Sequence, residues 1–341
     1  MTINERVGVF QTLGEYLRAE TSQETLERWA TDAFHANPWF TPASVQASVG
    51  ALASQYLDGQ ALQTWVGRYL TLADSNRTPR QVGLILAGNL PAVGFHDVLC
   101  VLLAGHRALI KPSSQDEVLI KGLVAELIRL EPRLADQVAY ADRLNEAEAL
   151  IATGSDQSAR YFEYYFGQKP HLIRKNRTSV GVLSGTETAA DLRALGGDIL
   201  SYFGLGCRNV SKLYVPEGYQ FDAFYEAIEP LGDVILNHKY LNNYDYNKSI
   251  YLVNQTPFLD NGFLLLTENE ATVSPISVVF YERYSSPEVL REKLAATADK
   301  IQVVVNAGST WPGSLPFGTA QCPALDDYAD GVDTMAFLLS L

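Results

Sequence analysis

"QVGLILAGNLPAVGFHDVLCVLLAGHRALIKP", residues 81 to 112, is where the fold is decided. Two short apolar runs, "QVGLILAG" (81–88) and "RALIKP" (107–112), stand on either side of a helical pattern that opens after Pro91. Runs of this length bounded by Gly and Pro read as buried strands, and strands separated by helices pair in parallel. The alternation continues through "DQVAYA" (136–141) and "ALIATG" (149–154), which predicts a doubly wound α/β sheet. Upstream, the first eighty residues read as an accessory helical layer. Its start signals are Thr21 three residues before Glu24, and Thr41 followed by Pro42. Gly59 in "DGQ" is expected to end that layer, ahead of the polar loop "ADSNRTPR" (73–80). Downstream, "SVGVLSG", "SKLYVP", "SPISVVFYERY" and "KIQVVVN" repeat the strand pattern, with a helix expected at "TAADLRALGGDILSYF". The Asn- and Tyr-rich "HKYLNNYDYNKS" (238–249) reads as an irregular polar segment.

A chain of 341 residues is too long for one ordinary core and fits two domains. The expected division is a helical segment plus a Rossmann-like dinucleotide-binding domain over 1–180, and a second α/β domain over 181–341 whose C-terminal tail is free to return to the first. With 47% hydrophobic and 19% charged residues the composition is that of an ordinary globular protein. A formal net charge of −13 opposes nucleic acid and anionic membranes, so any anionic ligand needs a local site. No apolar run reaches the roughly 18 residues of a membrane span, and "MTINERVGVFQTLGEYLRAE" lacks the form of a secretory signal, which together predict a cytoplasmic protein. Cys100, Cys207 and Cys322 are odd in number and far apart; neither a disulfide framework nor a metal site is expected.

Four stretches fall at predicted strand ends or bends, where open α/β sheets carry ligands. In "AGNLPAVGFHD" the Asn89 amide follows a buried strand and is a hydrogen-bond donor toward the crevice, or else a turn Asn satisfying its own backbone. His96 and His106 nearby read as surface or helix-end residues. In "ALIKPSSQDE", Lys111 emerging from a strand, followed by Ser113 and Ser114, suits ribose and phosphate oxygens; a snorkelling lysine and a capping serine are the alternative. In "ATGSDQSARYF", Gly154 and Ser155 offer backbone N–H groups and a hydroxyl to a pyrophosphate, and equally a plain helix cap. In "SYFGLGCRNVSK" (201–212), Gly204 and Gly206 free the backbone around Cys207, and Arg208, if it points inward, lowers the thiol pKa; a buried structural thiol is the default for a lone cysteine. Cys100, within "DVLCVLLAG", reads as core.

Taken in order, "GNLP", "KPSS", "TGS" and "GLGCRN" resemble the Asn-Phe-Pro turn, the Lys-Pro-Ser-Glu strand end, the Gly-Ser pyrophosphate turn and the cysteine loop of the aldehyde dehydrogenase superfamily. "HLIRKNRTSVGVLSGTE", "YNKSIYLVNQTPFLDNGFLLL", "SPISVVFYERY" and "DYADGVDTMAFL" look like its acyl-CoA reductase branch, related to the fatty-acid reductase component of bacterial luminescence. The resemblance spans residues 80 to 341 and implies two doubly wound α/β domains. It implies that Cys207 is the nucleophile, that the Asn89 amide and the Cys207 N–H stabilise an oxyanion, that Lys111 and Ser113 meet the adenosine ribose, and that Gly154 and Ser155 meet the pyrophosphate. Ser114, where NAD-preferring relatives often carry a glutamate, tolerates a 2′-phosphate and points to NADP. Two departures follow: "VLSG" puts Val182 where aldehyde-oxidising relatives carry a water-activating glutamate, and "ATVSP" offers Ala271, with Glu270 one place off, for the glutamate that holds the nicotinamide ribose.

The implied function is NADPH-dependent reduction of an acyl-CoA, fatty acyl in the first instance, to the aldehyde through a thioacyl-enzyme. The alternatives are a cysteine acyltransferase or thioesterase without hydride transfer, and a non-catalytic nucleotide-binding protein. Arg174, Lys175 and Arg177 are a second candidate phosphate contact, with a solvated patch the other reading; Glu187 and His238 are candidate proton donors, with structural roles the other reading. Chain length and oligomeric state are left open, since "TLADSNRTPR" is short for the dimerising hairpin of relatives.

Overall fold

The computed structural model describes residues 1–70, 78–309 and 311–341. The polar loop expected at 73–80 therefore lies, as far as residue 77, outside the described residues. The chain forms two compact units, one of Met1–Asn176 with Ala324–Leu341, the other of Arg177–Pro323.

Unit 1 begins with a helical layer of α1 (Ile3–Arg18), α2 (Gln23–Ala36), α3 (Pro42–Ala51) and α4 (Gly59–Gly67). Thr2 and Glu5 close a reciprocal capping box on α1. Thr41 caps α3 ahead of Pro42, as expected. Two start and stop signals were misread. Thr21 sits inside a short 3₁₀ turn, and α2 begins after Ser22, whose hydroxyl bonds back to Leu17 and Ala19 carbonyls instead of capping. Gly59 opens a helix instead of ending one, because Asp58 accepts the Ala61 N–H as its cap.

The sheet of unit 1 comprises β1 (Gln81–Ile85), β2 (Arg107–Lys111), β3 (Val138–Tyr140), β4 (Ala149–Thr153) and β5 (His171–Arg174), separated by α5 (Phe95–Ala104), α6 (Glu117–Leu130) and α7 (Asp156–Phe166). Its order is β3-β2-β1-β4-β5, all parallel. Strand order reverses between β1 and β4, the position at which open α/β sheets leave a crevice. Val82, Leu84, Ile110, Ile151 and the whole inner face of α5, Cys100 included, form a core continuous with Phe10, Leu13 and Trp65 of the helical layer. Burial this complete is what makes the strands read as unbroken apolar runs.

Unit 2 holds β6 (Thr178–Val182), α8 (Ala189–Leu200), β7 (Val210–Pro216), α9 (Asp222–Ile228), α10 (His238–Val253), β8 (Leu259–Asp260), β9 (Leu265–Glu268), β10 (Val278–Tyr284), α11 (Pro287–Ala296), β11 (Ile301–Asn306) and β12 (Leu315–Pro316). The sheet runs β12-β11-β6-β7-β10-β9-β8, with β8 antiparallel to β9 and the other pairs parallel. The expectation of an irregular segment at 238–249 is overturned: it is the body of α10. Tyr240, Tyr244 and Asn247 recur at helical spacing and are buried, each with its polar atom bonded, so a polar sequence makes a core-facing stripe. The last helix, α12 (Thr334–Leu339), belongs to unit 1. Among the described residues no helix is long and apolar enough to cross a membrane.

Candidate active site

In unit 1 the expected dinucleotide residues gather at the carboxyl ends of three adjacent strands. Asn89 lies in the turn between β1 and α5, Lys111 is the last residue of β2 with Ser113 and Ser114 after it, and Gly154 and Ser155 link β4 to α7. Lys111, Ser114 and Ser155 are exposed, while Asn89, Ser113 and Gly154 are half-buried. The Leu86 N–H donates to the Lys111 carbonyl at 3.2 Å, extending the β1–β2 ladder toward the turn. Gly88 lies so close to Ser113 that a Cβ would stand 2.4 Å from the serine Cβ and Oγ, and a Cβ on Gly154 would meet Ser158 at 2.8 Å. Gly88 thus serves close approach between neighbouring turns, and Gly154 close approach of its turn to the side chains of α7. Ser155 is also the cap of α7, accepting the Ser158 N–H, so the two readings of that serine coexist. No serine caps α6; its cap position is Asp116, and Ser113 accepts the Gln115 N–H in a local turn.

Several neighbours differ from expectation. Arg174 is buried, donating to both Asp97 oxygens at 2.8 Å and to Thr334 at 2.9 Å, and so is not part of a solvated patch. Lys175 pairs with Glu163 on the surface, and in unit 2 Arg177 donates to the Ile301 carbonyl. His106 is interior and bonds the Leu338 carbonyl at 2.8 Å; His96 packs among the rings of Tyr56, Trp65 and Tyr328. Both stand at the ends of α5, His96 in its first turn and His106 just past its last residue, as the helix-end alternative had it, and both rings bond carbonyls in the tail of the chain.

Cys207 lies in unit 2, between α8 and β7, and its residue is exposed, whereas Cys100 is fully buried and its thiol pushed up by that burial. The loop reverses direction through three successive left-handed residues, Tyr202 (φ 51°), Phe203 (φ 61°) and Gly204 (φ 76°). For the two aromatic residues that conformation costs roughly 1–2 kcal/mol each, a strain the surroundings must hold in place. Gly206, by contrast, needs no positive φ. Three buried side chains immobilise the cysteine backbone. Asn209 accepts the Gly206 N–H at 2.8 Å and donates to the carbonyls of Asp198, Ile199 and Ser201. Ser179 donates to the Cys207 carbonyl at 2.9 Å. Arg208 donates to the Ala320 carbonyl at 3.2 Å. The sequence reading missed Asn209, Asp198 and Ser179; the one signal was a lone acid in the apolar helix "GGDIL".

Val182 ends β6 with 4% exposure in a cluster with Tyr214, Leu290 and Leu294 and is a core residue, while the Cys207 carbonyl is held at Ser179, three residues back, or about 10 Å along the strand. Glu187 caps its own turn, accepting the Ser184 and Gly185 N–H groups. It lines a cleft of about 340 Å³ with Tyr219 and Gln220 that does not include Cys207. The segment carrying Glu270 and Ala271 is fixed by the fully buried Lys212, whose Nζ donates to the Asn269 and Glu270 carbonyls and to Glu282.

The family Acyl-CoA reductase (LuxC) is matched over residues 71–223, a stretch that contains Asn89, Lys111, Ser113, Ser114, Gly154, Ser155 and Cys207. Among curated proteins no significant match is found. Among solved structures, aldehyde dehydrogenase 21 of Physcomitrella patens, in complex with succinate, is similar with a TM-score of 0.69 at 11% identity, covering 100% of this chain and 84% of that one. An NADP dependent enzyme of E. coli has a TM-score of 0.65 at 14% identity, covering 90% and 73%. A Mycobacterium tuberculosis aldehyde dehydrogenase complexed with NAD+ has 0.64 at 13%, covering 91% and 74%. The fold is that of the aldehyde dehydrogenases, as expected. The resemblance to acyl-CoA reductases, which are enzymes, is borne out over the matched stretch.

Proposed function

From the match of residues 71–223 to the acyl-CoA reductases, we propose that this chain reduces an acyl-CoA, fatty acyl in the first instance, to the aldehyde with NADPH, through a thioacyl group on Cys207. One observation carries the reading: of the three cysteines, Cys207 alone is both exposed and inside the matched stretch, and its backbone is tied down on both sides. The Cys207 thiolate attacks the thioester carbonyl; the bond from carbonyl carbon to coenzyme A sulfur breaks, and coenzyme A leaves as the thiol after taking a proton. Asn89 is proposed as a donor to the oxyanion formed in that attack. A reduced nicotinamide would supply hydride to the acyl carbon, whose bond to Cys207 would break to give the aldehyde and return the thiolate, so the balance would be acyl-CoA, NADPH and a proton in, and aldehyde, coenzyme A and NADP out.

The nicotinamide cofactor supplies only that hydride, and unit 1 fits it. The switch point between β1 and β4, the close-approach glycines Gly88 and Gly154, and the exposed Lys111, Ser114 and Ser155 support a dinucleotide there. Lys111 and Ser113 would hold the adenosine ribose, Gly154 and Ser155 the pyrophosphate, and the uncharged Ser114 leaves room for a 2′-phosphate.

Purified protein given a fatty acyl-CoA and NADPH should oxidise the cofactor and release free thiol in equal amounts, and Cys207→Ser should abolish both. Undiminished turnover in that variant would overturn the nucleophile, and a preference for NADH would overturn the role of Ser114.

A further inference from the structure

Asp198 is a carboxylate with 1% exposure in the last turn of α8, among apolar neighbours, and burying such a group is costly unless it does something a neutral residue cannot. Its two oxygens accept from one loop: Oδ2 from the Gly318 N–H at 2.6 Å and Oδ1 from the Ala320 N–H at 3.1 Å. That loop reaches the helix because Gly318 is left-handed (φ 83°), and a Cβ there would press on Ala194 at 3.1 Å. Ala320 is the residue whose carbonyl receives Arg208, next to the cysteine. The main-chain carbonyl of Asp198 receives Asn209, two residues past the cysteine, at 3.0 Å. The bonds therefore close a circuit running from the Asp198 carboxylate through Ala320, Arg208 and Asn209 back to the Asp198 carbonyl, with Cys207 carried on it.

We infer that Asp198 is a positioning residue for Cys207: its carboxylate sets the Gly318–Ala320 loop, and that loop together with Arg208 and Asn209 holds the thiol in its reactive placement. The inference rests on the reading of Cys207 as nucleophile. Burial pushes the Asp198 carboxyl up to about 6 while the two backbone N–H groups pull it down, in keeping with an acid retained for its geometry at a cost.

Asp198→Asn preserves size but must turn an amide N–H₂ against one of the two backbone donors. Since misplacing a reacting atom by an ångström costs about 10²-fold, kcat should fall about 10- to 100-fold. KM for acyl-CoA and for NADPH should stay within about twofold, the signature of an interaction expressed at the chemical step. Alkylation of Cys207 by iodoacetamide should slow in parallel, with circular dichroism unchanged. Asn209→Asp, which loses the three carbonyl contacts, should give the same split and carries the test should Asp198→Asn not fold. If kcat and alkylation match the parent in either folded variant, or if KM alone rises, the inference is overturned. Because that result is read alongside an inactive Cys207→Ser, it leaves the nucleophile standing, whereas an active Cys207→Ser overturns the reading beneath it.

Discussion

Two residues beyond Ser114, the carboxyl of Asp116 has 2% exposure, and among the described residues neither oxygen has a well-aligned hydrogen-bond partner. Burial pushes it up to about 8 from 3.8, while the nearby Ala92 backbone N–H pulls it down. A carboxyl whose pKa rises on folding keeps its proton in the native state where the unfolded chain has lost it. Stability is then greatest below about pH 4 and declines as pH climbs toward about 8, by at most about 1.4 kcal/mol per pH unit. Asp116→Asn removes the penalty, so its melting temperature should exceed that of the parent by a margin that widens from pH 5 to pH 8.5. A constant margin would show that the parent carboxyl is ionised throughout. At this scale the sequence was half legible. Cys207, Lys111 and Gly154 were picked out because strand ends and glycine-flanked bends are marked by residue type. Asn209 was invisible, and Asp198 marked only as a lone acid in an apolar helix, because their partners are backbone groups, some brought in from a loop more than a hundred residues away, and side-chain identity carries no trace of those. The depth of Val182 was not legible, because a four-residue likeness does not fix burial.

At the scale of elements, α10 is the instructive case. Its buried stripe is made of Tyr240, Tyr244 and Asn247, whose polar tips find the Phe263 carbonyl, Asp260 and the Ile276 carbonyl. Apolar periodicity, the signal by which helices are usually found, is therefore absent although the helix is well supported. Asn237 accepts the Lys239 and Tyr240 N–H groups and fixes where it starts. Asn237→Ala should cost about 1 kcal/mol in urea unfolding, and Asn237→Asp next to nothing. An equal loss in both would assign the asparagine a role in packing instead of capping. The strands were legible for the opposite reason: parallel strands buried on both faces read as short apolar runs, and β1, β2 and β4 fall where such runs occur.

At the scale of the whole molecule, the joint that matters most is inside unit 1. Arg174 at the end of β5 grips Asp97 of α5 and Thr334 of α12, with all three buried. Asp97→Asn leaves a guanidinium buried without its counter-charge, and should cost about 3–5 kcal/mol. Intrinsic fluorescence can follow the loss during urea unfolding, since Trp29, Trp39 and Trp65 lie in unit 1 and only Trp311 in unit 2. A cost below about 1 kcal/mol would mean that Thr334 and the solvent suffice for the arginine. This joint was not legible beforehand, because its members stand 77 and 160 positions apart. Met335 and Leu338, wholly buried in the core of unit 1, belong to the same late segment, and the His106 ring bonds the Leu338 carbonyl. During synthesis, then, the β1–β5 sheet keeps an open seam, its arginine and histidine unanswered, until the segment Ala324–Leu341 has followed Arg177–Pro323 off the ribosome.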